Sequence, residues 1–266
     1  MSRSRTIGRI LVVVFVASLA LEQRTDAVVL PQGSEVEGKT IAEWSAEWWN
    51  WALGANAADT NPIADETGAF AGNHQSGPVF FVAGTGGQNL EETPLIERNV
   101  SVPEGKHLLI PLVNIIGWLD QTEVAKGRMH DEFYDEIRGL NNAVTEDDLH
   151  FSLNGQPTTN LKGHSEEHLF PGPWGPDPLF GPPNGEGVVG DAITLGYWLM
   201  LEPLPVGQHT LEYGGGFPAF TPFGVNVLAN IVVPEPTTIG LLGVVGLGFC
   251  VRRCRRWPSS TRSMRS

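Results

Sequence analysis

The chain has 266 residues, only two of them cysteines, and sets 30 acidic side chains against 17 basic ones for a formal net charge of −13. Residues 28–232 alone carry 27 acidic and 7 basic side chains, a balance of −20 that repels nucleic acid and anionic lipid. Both cysteines, Cys250 and Cys254, lie near the C-terminus, so this acidic middle has no disulfide. It must be held by a core, for which about 205 residues suffice.

Arg3, Arg5 and Arg9 precede the apolar run Ile10 to Leu21, and a polar stretch then ends in Thr25-Asp26-Ala27. A basic region, a short apolar core and a small residue read as a secretory signal peptide over residues 1–27. The chain is expected to be exported, as a body of residues 28–232 with a tail of residues 233–266.

The body opens with "TIAEWSAEWWNWALG". Thr40 and Glu43 have the T-x-x-E spacing of a capping box, and Gly54 is placed to stop the helix in a left-handed cap. Ile41, Trp44, Trp48 and Trp51 share one helical face, with Trp49 to one side. Burial against the domain's own sheet is the expected use of that face, and a sugar-stacking platform is the alternative.

Beyond Gly54 the pattern is strand and turn. Apolar or alternating runs fill Gly77 to Gly87, Val100 to Trp118, Leu149 to Leu161, Ala192 to Leu204, His209 to Gly215 and Val225 to Val233, each bounded by Gly, Pro or Asn. Asn154-Gly155 has the composition of a two-residue hairpin turn. One insertion reads as helical, because Val124, Met129, Phe133, Ile137 and Leu140 form a partial stripe interrupted by Gly127. The prolines of "PGPWGPDPLFGPP" exclude helix and central strand. The body is therefore expected to be mostly β: an antiparallel β-sandwich, jelly-roll or Ig-like, with an N-terminal Trp-rich helix and one inserted helix.

At the tail, Pro234-Glu235-Pro236 precedes the apolar run Ile239 to Val251, and Arg252, Arg253, Arg255 and Arg256 follow it. The run has 13 residues, whereas a bilayer core asks for roughly 20. It is a marginal span whose arginines belong on the cytoplasmic side, which places the body outside. This order of elements resembles the PEP-CTERM sorting signal of exported bacterial proteins. The resemblance implies that the tail is a temporary handle in the inner membrane. It also implies that an exosortase, a transpeptidase-like membrane enzyme, cuts near Pro234-Glu235-Pro236 and passes the body to the cell surface or extracellular matrix of a Gram-negative-type bacterium.

The body is similar to a second group, exported bacterial proteins of unknown function. The pattern is carried by Trp44 to Trp51, Asn61-Pro62 with Asp65 and Gly68, Gly77-Pro78-Val79-Phe80, Val102-Pro103-Glu104-Gly105-Lys106, and the stretch Pro203 to Leu211. Members of that group often carry cysteines where this chain has Ala71 or Gly72 and Asn99. This resemblance implies no activity.

Three constellations could carry chemistry. His164-Ser165-Glu166-Glu167-His168 fits H-x-x-E-H, a zinc-peptidase order that needs a long helix, but Gly163 and Pro171-Gly172-Pro173 leave barely two turns. An exposed polar loop is expected there instead. Asp59, Asn61, Asp65 and Glu66 offer hard oxygen ligands suited to Ca²⁺, in a spacing that turns explain equally well. Carboxylates such as Asp120, Glu123, Asp131 and Glu132 could form a glycosidase pair, though no motif selects one. The favoured reading is a non-catalytic surface or matrix protein with a structural, adhesive or glycan-binding role, partnered by an exosortase and by exopolysaccharide or cell-surface glycan, without a cofactor. The alternative is a secreted hydrolase acting on polysaccharide.

Overall fold

The computed structural model describes residues 28–235. Residues 1–27, Pro236, the apolar run and Arg252, Arg253, Arg255 and Arg256 lie outside the described residues.

A small hairpin, β1 (Glu35–Val36) and β2 (Lys39–Thr40), leads into helix α1 (Ile41–Trp49). The capping box is formed: Glu43 N–H donates to Thr40 Oγ1 at 3.2 Å, and Thr40 N–H donates to the Glu43 carboxylate at 2.7 Å. These bonds satisfy donors that a helix start leaves free. Gly54 is not the left-handed stop expected from the sequence. Asn50–Ala55 winds on as a π-helix, and the chain leaves it at Asn56 in extended conformation. Asn56 Nδ2 donates to Trp51 O at 2.8 Å and Asn61 Nδ2 to Ala52 O at 2.6 Å, so side-chain amides satisfy the carbonyls at this end.

Strands β3 (Val79–Phe81), β4 (Gln88–Asn89), β5 (Ile96–Ser101) and β6 (His107–Asp120) follow. The inserted helical segment comes next as two pieces, α2 (Gln121–Ala125) and α3 (His130–Asn142), separated at Gly127 with φ +91°. Then come β7 (Leu149–Leu153), β8 (Gln156–Pro157), β9 (Ser165–Phe170), β10 (Val188–Leu201), β11 (Gly207–Gly216) and β12 (Phe223–Val233). Asn154 and Gly155 turn between β7 and β8 with φ 52° and 76°, both in the left-handed region that this pair of residues tolerates.

Two sheets result. One has the order β3-β6-β10-β9, the other β4-β12-β11-β7-β8 with β5 also on β12. The ladders are antiparallel apart from β3 with β6 and β5 with β12. Between the sheets lies an aliphatic core that includes Leu108, Ile110, Leu199, Leu211, Val227 and Ile231. The protein is a mostly β sandwich with a Trp-rich helix, as its sequence pattern predicts.

The outer face of the four-stranded sheet is covered by α1. Trp44, Trp48, Trp49 and Trp51 pack there with Phe81, Leu109, Trp198 and Met200. The tryptophan face is thus the domain's own core, not a sugar platform. Beyond the reach of the second sheet, α3 covers β6 and β10 through Phe133, Tyr134 and Ile137, which meet Leu119, Ile193 and Leu195.

Strand β6 changes phase to serve these layers. Tyr197 pairs with Val113 and Trp198 with Pro111, which leaves Leu112 as a bulged extra residue. Leu112 and Val113 consequently both enter the core between the sheets. Pro111 has no N–H to give a ladder, so a bulge beside it costs little.

Candidate functional site

The candidate metal ligands do not converge. The H-x-x-E-H segment is neither the exposed loop expected nor a helix: Ser165–Phe170 is strand β9, an edge strand paired only with β10. Edge position explains why a strand can be so polar. Glu167 points to Arg138 of α3, which grips it with bonds of 2.6 to 3.1 Å. Glu166 is buried on the opposite face and accepts from Gly33 N–H at 3.3 Å. Burial raises the Glu166 carboxyl above the ordinary carboxylate range, and the Gly33 hydrogen bond only partly opposes it. Burial also lowers the His164 imidazole, against the pull of Glu146. His168 lies on the α1 side, in a shallow depression with Lys39, Glu43 and Glu47. At strand rise, His164 and His168 are roughly 13 Å apart along the chain, too far to share an ion.

The second set is taken up by turns. Asn61 is buried, and its Oδ1 accepts from Ile63 N–H at 3.0 Å while its amide holds the helix end. Asp65 accepts from Thr67 N–H and Phe70 N–H, each at 2.8 Å. Burial would raise the Asp65 carboxyl, but these hydrogen bonds outweigh it and hold it below its ordinary value. Asp59 and Glu66 are exposed. Among the described residues no three His, Cys, Asp or Glu side chains gather closely enough to hold a metal.

Of the four carboxylates considered for hydrolysis, Asp131 and Glu132 are exposed in the first turn of α3, and the other two are engaged in local structure. Asp120 caps α2, accepting from Thr122 and Glu123 N–H at 2.7 and 2.9 Å. Glu123 pairs with Lys126 at 2.6 Å and with Arg128 at 3.5 Å.

A different feature has the form of a binding site. At the start of β12 an open cleft of about 400 Å³ lies between the two sheets. Its walls include Trp49, Phe180, Phe217, Phe220 and Phe223, with Thr85 and Asn114 as polar members and no carboxylate. Phe220 and Phe223 are 46% and 50% exposed, high values for side chains of that size. The turn Phe217-Pro218-Ala219-Phe220 sets two of the rings edge to face, with centroids 6.2 Å apart. Trp49 and Phe180 meet similarly at 6.0 Å. On the other side of Phe217 and Phe223 a second depression of about 400 Å³ contains Asp147, Asp148 and His150. Close strand approach builds the floor: a Cβ on Gly224 would fall 2.6 Å from Gly215 O. Sequence reading missed this cleft. Its signal was Phe217, Phe220 and Phe223 within seven residues of a proline-bounded turn.

The end of the body is equally well defined. Val233 is buried and paired with Gly207, while Pro234 and Glu235 are exposed directly after it. Pro234-Glu235-Pro236 therefore begins where the sheet stops. Among the described residues no helix is long and apolar enough to cross a membrane, and the apolar run that the sequence offers lies outside them.

Exposed Pro234 and Glu235 at the end of an interior strand, followed in sequence by Pro236, a short apolar run and an arginine cluster, have the arrangement of an exported protein with a C-terminal sorting signal. The family model described as the PEP-CTERM protein-sorting motif matches residues 232–256, from the last two residues of β12 through Arg256. The chain carries that motif, which marks it as an exosortase-sorted protein bound through the membrane for the cell surface. Comparisons with curated proteins and with solved structures found no match.

Proposed function

We propose that the body is a non-catalytic surface or extracellular-matrix domain that binds glycan through the aromatic cleft, after passing through the inner membrane of a Gram-negative-type cell. The signal peptide at residues 1–27 starts the export and the tail at residues 233–266 interrupts it. The tail inserts as a marginal span, with Arg252, Arg253, Arg255 and Arg256 on the cytoplasmic side, and the exosortase cuts near Pro234-Glu235-Pro236. The observation that carries the reading is the sorting motif at residues 232–256 joined directly to a sandwich with half-exposed phenylalanines at its far end.

A pyranose ring presents C–H groups on its faces, which lie favourably against the electron-rich face of Phe220 or Phe223. A cleft of this volume with a few polar groups suits one or two sugar units. The hydrolase reading gains no support from the cleft, whose lining contains no carboxylate to serve as acid or nucleophile.

A glycan array and a polysaccharide hydrolysis screen on the exported, processed protein test this together. Binding to a defined glycan that disappears in Phe220→Ala/Phe223→Ala, without hydrolysis, is the expected result. Turnover of any polysaccharide would overturn it. For the tail, replacing Pro234-Glu235-Pro236 with three alanines should leave insertion intact and block release, read as full-length protein in the inner membrane of an exosortase-bearing host.

A further inference from the structure

We infer that the body, while its tail holds it in the membrane, stands end-on: the end of the sandwich where β12 finishes faces the bilayer surface, and the aromatic cleft is held at the opposite end. This rests on the sorting reading above and adds an orientation to it.

The first support is length. Strand β12 has 11 residues, so Phe223 at the cleft and Val233 at the joint are roughly 35 Å apart. The sheet holds the strand to its last residue, since Val102 N–H donates to Val232 O at 2.9 Å and Gly207 pairs with Val233. Only residues 234–238 separate Val233 from the apolar run that starts at Ile239. Fully extended, that tether spans at most about 20 Å. Turning the cleft towards the bilayer would require the tether to reach back along the whole sandwich. It is too short by nearly half.

The second support is the other end of the body. Val29 bridges Leu201, and Glu202 N–H donates to Val28 O at 3.0 Å. Leu201 begins the connection to Gly207, so the described chain starts at the same end of the sandwich at which it finishes.

Charge is the third support. The connections at this end, residues 28–34, 65–78, 102–106, 154–155 and 202–206, carry Asp65, Glu66, Glu104 and Glu202 against Lys106. Those at the cleft end carry Glu91, Glu92, Asp147, Asp148, Asp177 and Glu186, besides the acidic helices α2 and α3. The basic residues of those helices, Lys126, Arg128 and Arg138, are each paired with a carboxylate. An anionic bilayer surface acts over about one Debye length, roughly 10 Å. End-on standing places the least acidic end within that range and the most acidic beyond it. Lying on its side, the body would bring its acidic half into the same layer.

The test uses the full chain with Cys250→Ala and Cys254→Ala, placed in anionic vesicles without exosortase. A single fluorophore is attached at Glu104→Cys or at Glu91→Cys, two exposed turns at opposite ends. Nitroxide on the lipid headgroups should quench the first several-fold more than the second. Inserting a flexible stretch of about 20 Gly/Ser residues between Val233 and Pro234 should remove that difference. Equal or reversed quenching in protein that floats with the vesicles overturns the orientation and leaves the sorting reading standing. A difference that survives the insert overturns the tether argument. Protein that does not float overturns the anchoring reading and the orientation together.

Discussion

The two faces of the four-stranded sheet are covered in different ways. Towards the six-stranded sheet lie aliphatic side chains such as Leu108, Ile110 and Leu199, whose contacts have no direction. Towards α1 lie five buried indoles, and four of them donate their N–H: Trp44 to Val36 O, Trp48 to Val82 O, Trp49 to Thr194 Oγ1 and Trp51 to Asn73 O, over 2.7 to 3.1 Å, while Trp198 N–H has no partner among the described residues. Both faces bury large apolar area, so both contribute stability. Only the indole face also fixes where its covering layer sits, because a shift of the helix would leave four donors unpaired in a dry interface.

One polar tie crosses the aliphatic face, and removing it should have the largest effect. Arg98 of β5 is 2% exposed and, among the described residues, has no carboxylate partner. Its guanidinium donates across the sandwich to Asp65 O at 2.7 Å, Ala83 O at 2.5 Å, Gly84 O at 2.8 Å and Ile63 O at 3.2 Å. Tyr213 O–H adds a bond to Ala83 O at 2.6 Å, and burial pushes its hydroxyl up to about 12. Arg98→Leu should cost at least about 3 kcal/mol by denaturant unfolding, because four carbonyls lose a charged donor. Lysine should not rescue it, having no fork to reach them all. A near-neutral Arg98→Leu would mean that the sandwich interface is aliphatic throughout.

Conservative swaps sharpen the contrast. Trp48→Phe removes the bond to Val82 O and leaves a void among Trp49, Trp51 and Trp198, for an expected loss of about 2 kcal/mol. Leu199→Met, at a fully buried aliphatic site, should cost less than about 1.5 kcal/mol. Equal losses from the two would remove the distinction. Smaller again is the cap: Thr40→Ala should lower stability by about 1 kcal/mol, and an unchanged unfolding midpoint would show that the capping box does not hold α1 in place.

What was legible in the sequence is what local chemistry determines. The Thr40–Glu43 box, the Asn154-Gly155 turn and the tryptophan spacing all act within a few residues. The sorting motif is linear and needs no fold to be read. The misreadings fall where a distant partner decides. β9 looked like a polar loop because its outward carboxylate, Glu167, has its arginine 29 residues away on α3. Gly54 looked like a stop because Asn61, the side chain that satisfies the helix end, lies beyond it on a separate turn. Leu112 gave no sign of bulging, since both neighbouring registers place an apolar residue inward. Arg98 did carry a signal: alternation with Ile96 and Val100 points it into the core.

The smallest predicted effect concerns Glu166, whose carboxyl is buried on the indole side of β9, and it separates burial from pairing as the source of stability there. Its folded-state pKa is raised above the ordinary 4.5 by burial. Below 4.5 the group is neutral in both the folded and unfolded chain, and its burial carries no charge penalty. As pH rises through the raised value, the folded state must hold an ion whose single bond is to Gly33 N–H, and the stability present in acid is lost. Glutamine is neutral at every pH and keeps the acceptor, so Glu166→Gln should match the parent in acid and melt higher near pH 7. Asp65 and Glu146, whose pKa values are lowered, contribute the opposite trend, losing stability as the medium turns acid. Both remain in the variant, so the difference in melting temperature between the two proteins isolates Glu166. A parent more stable than the variant near pH 7 would show that the Gly33 bond outweighs burial at this site, and a difference that is flat across pH 4 to 8 would show that the two cancel.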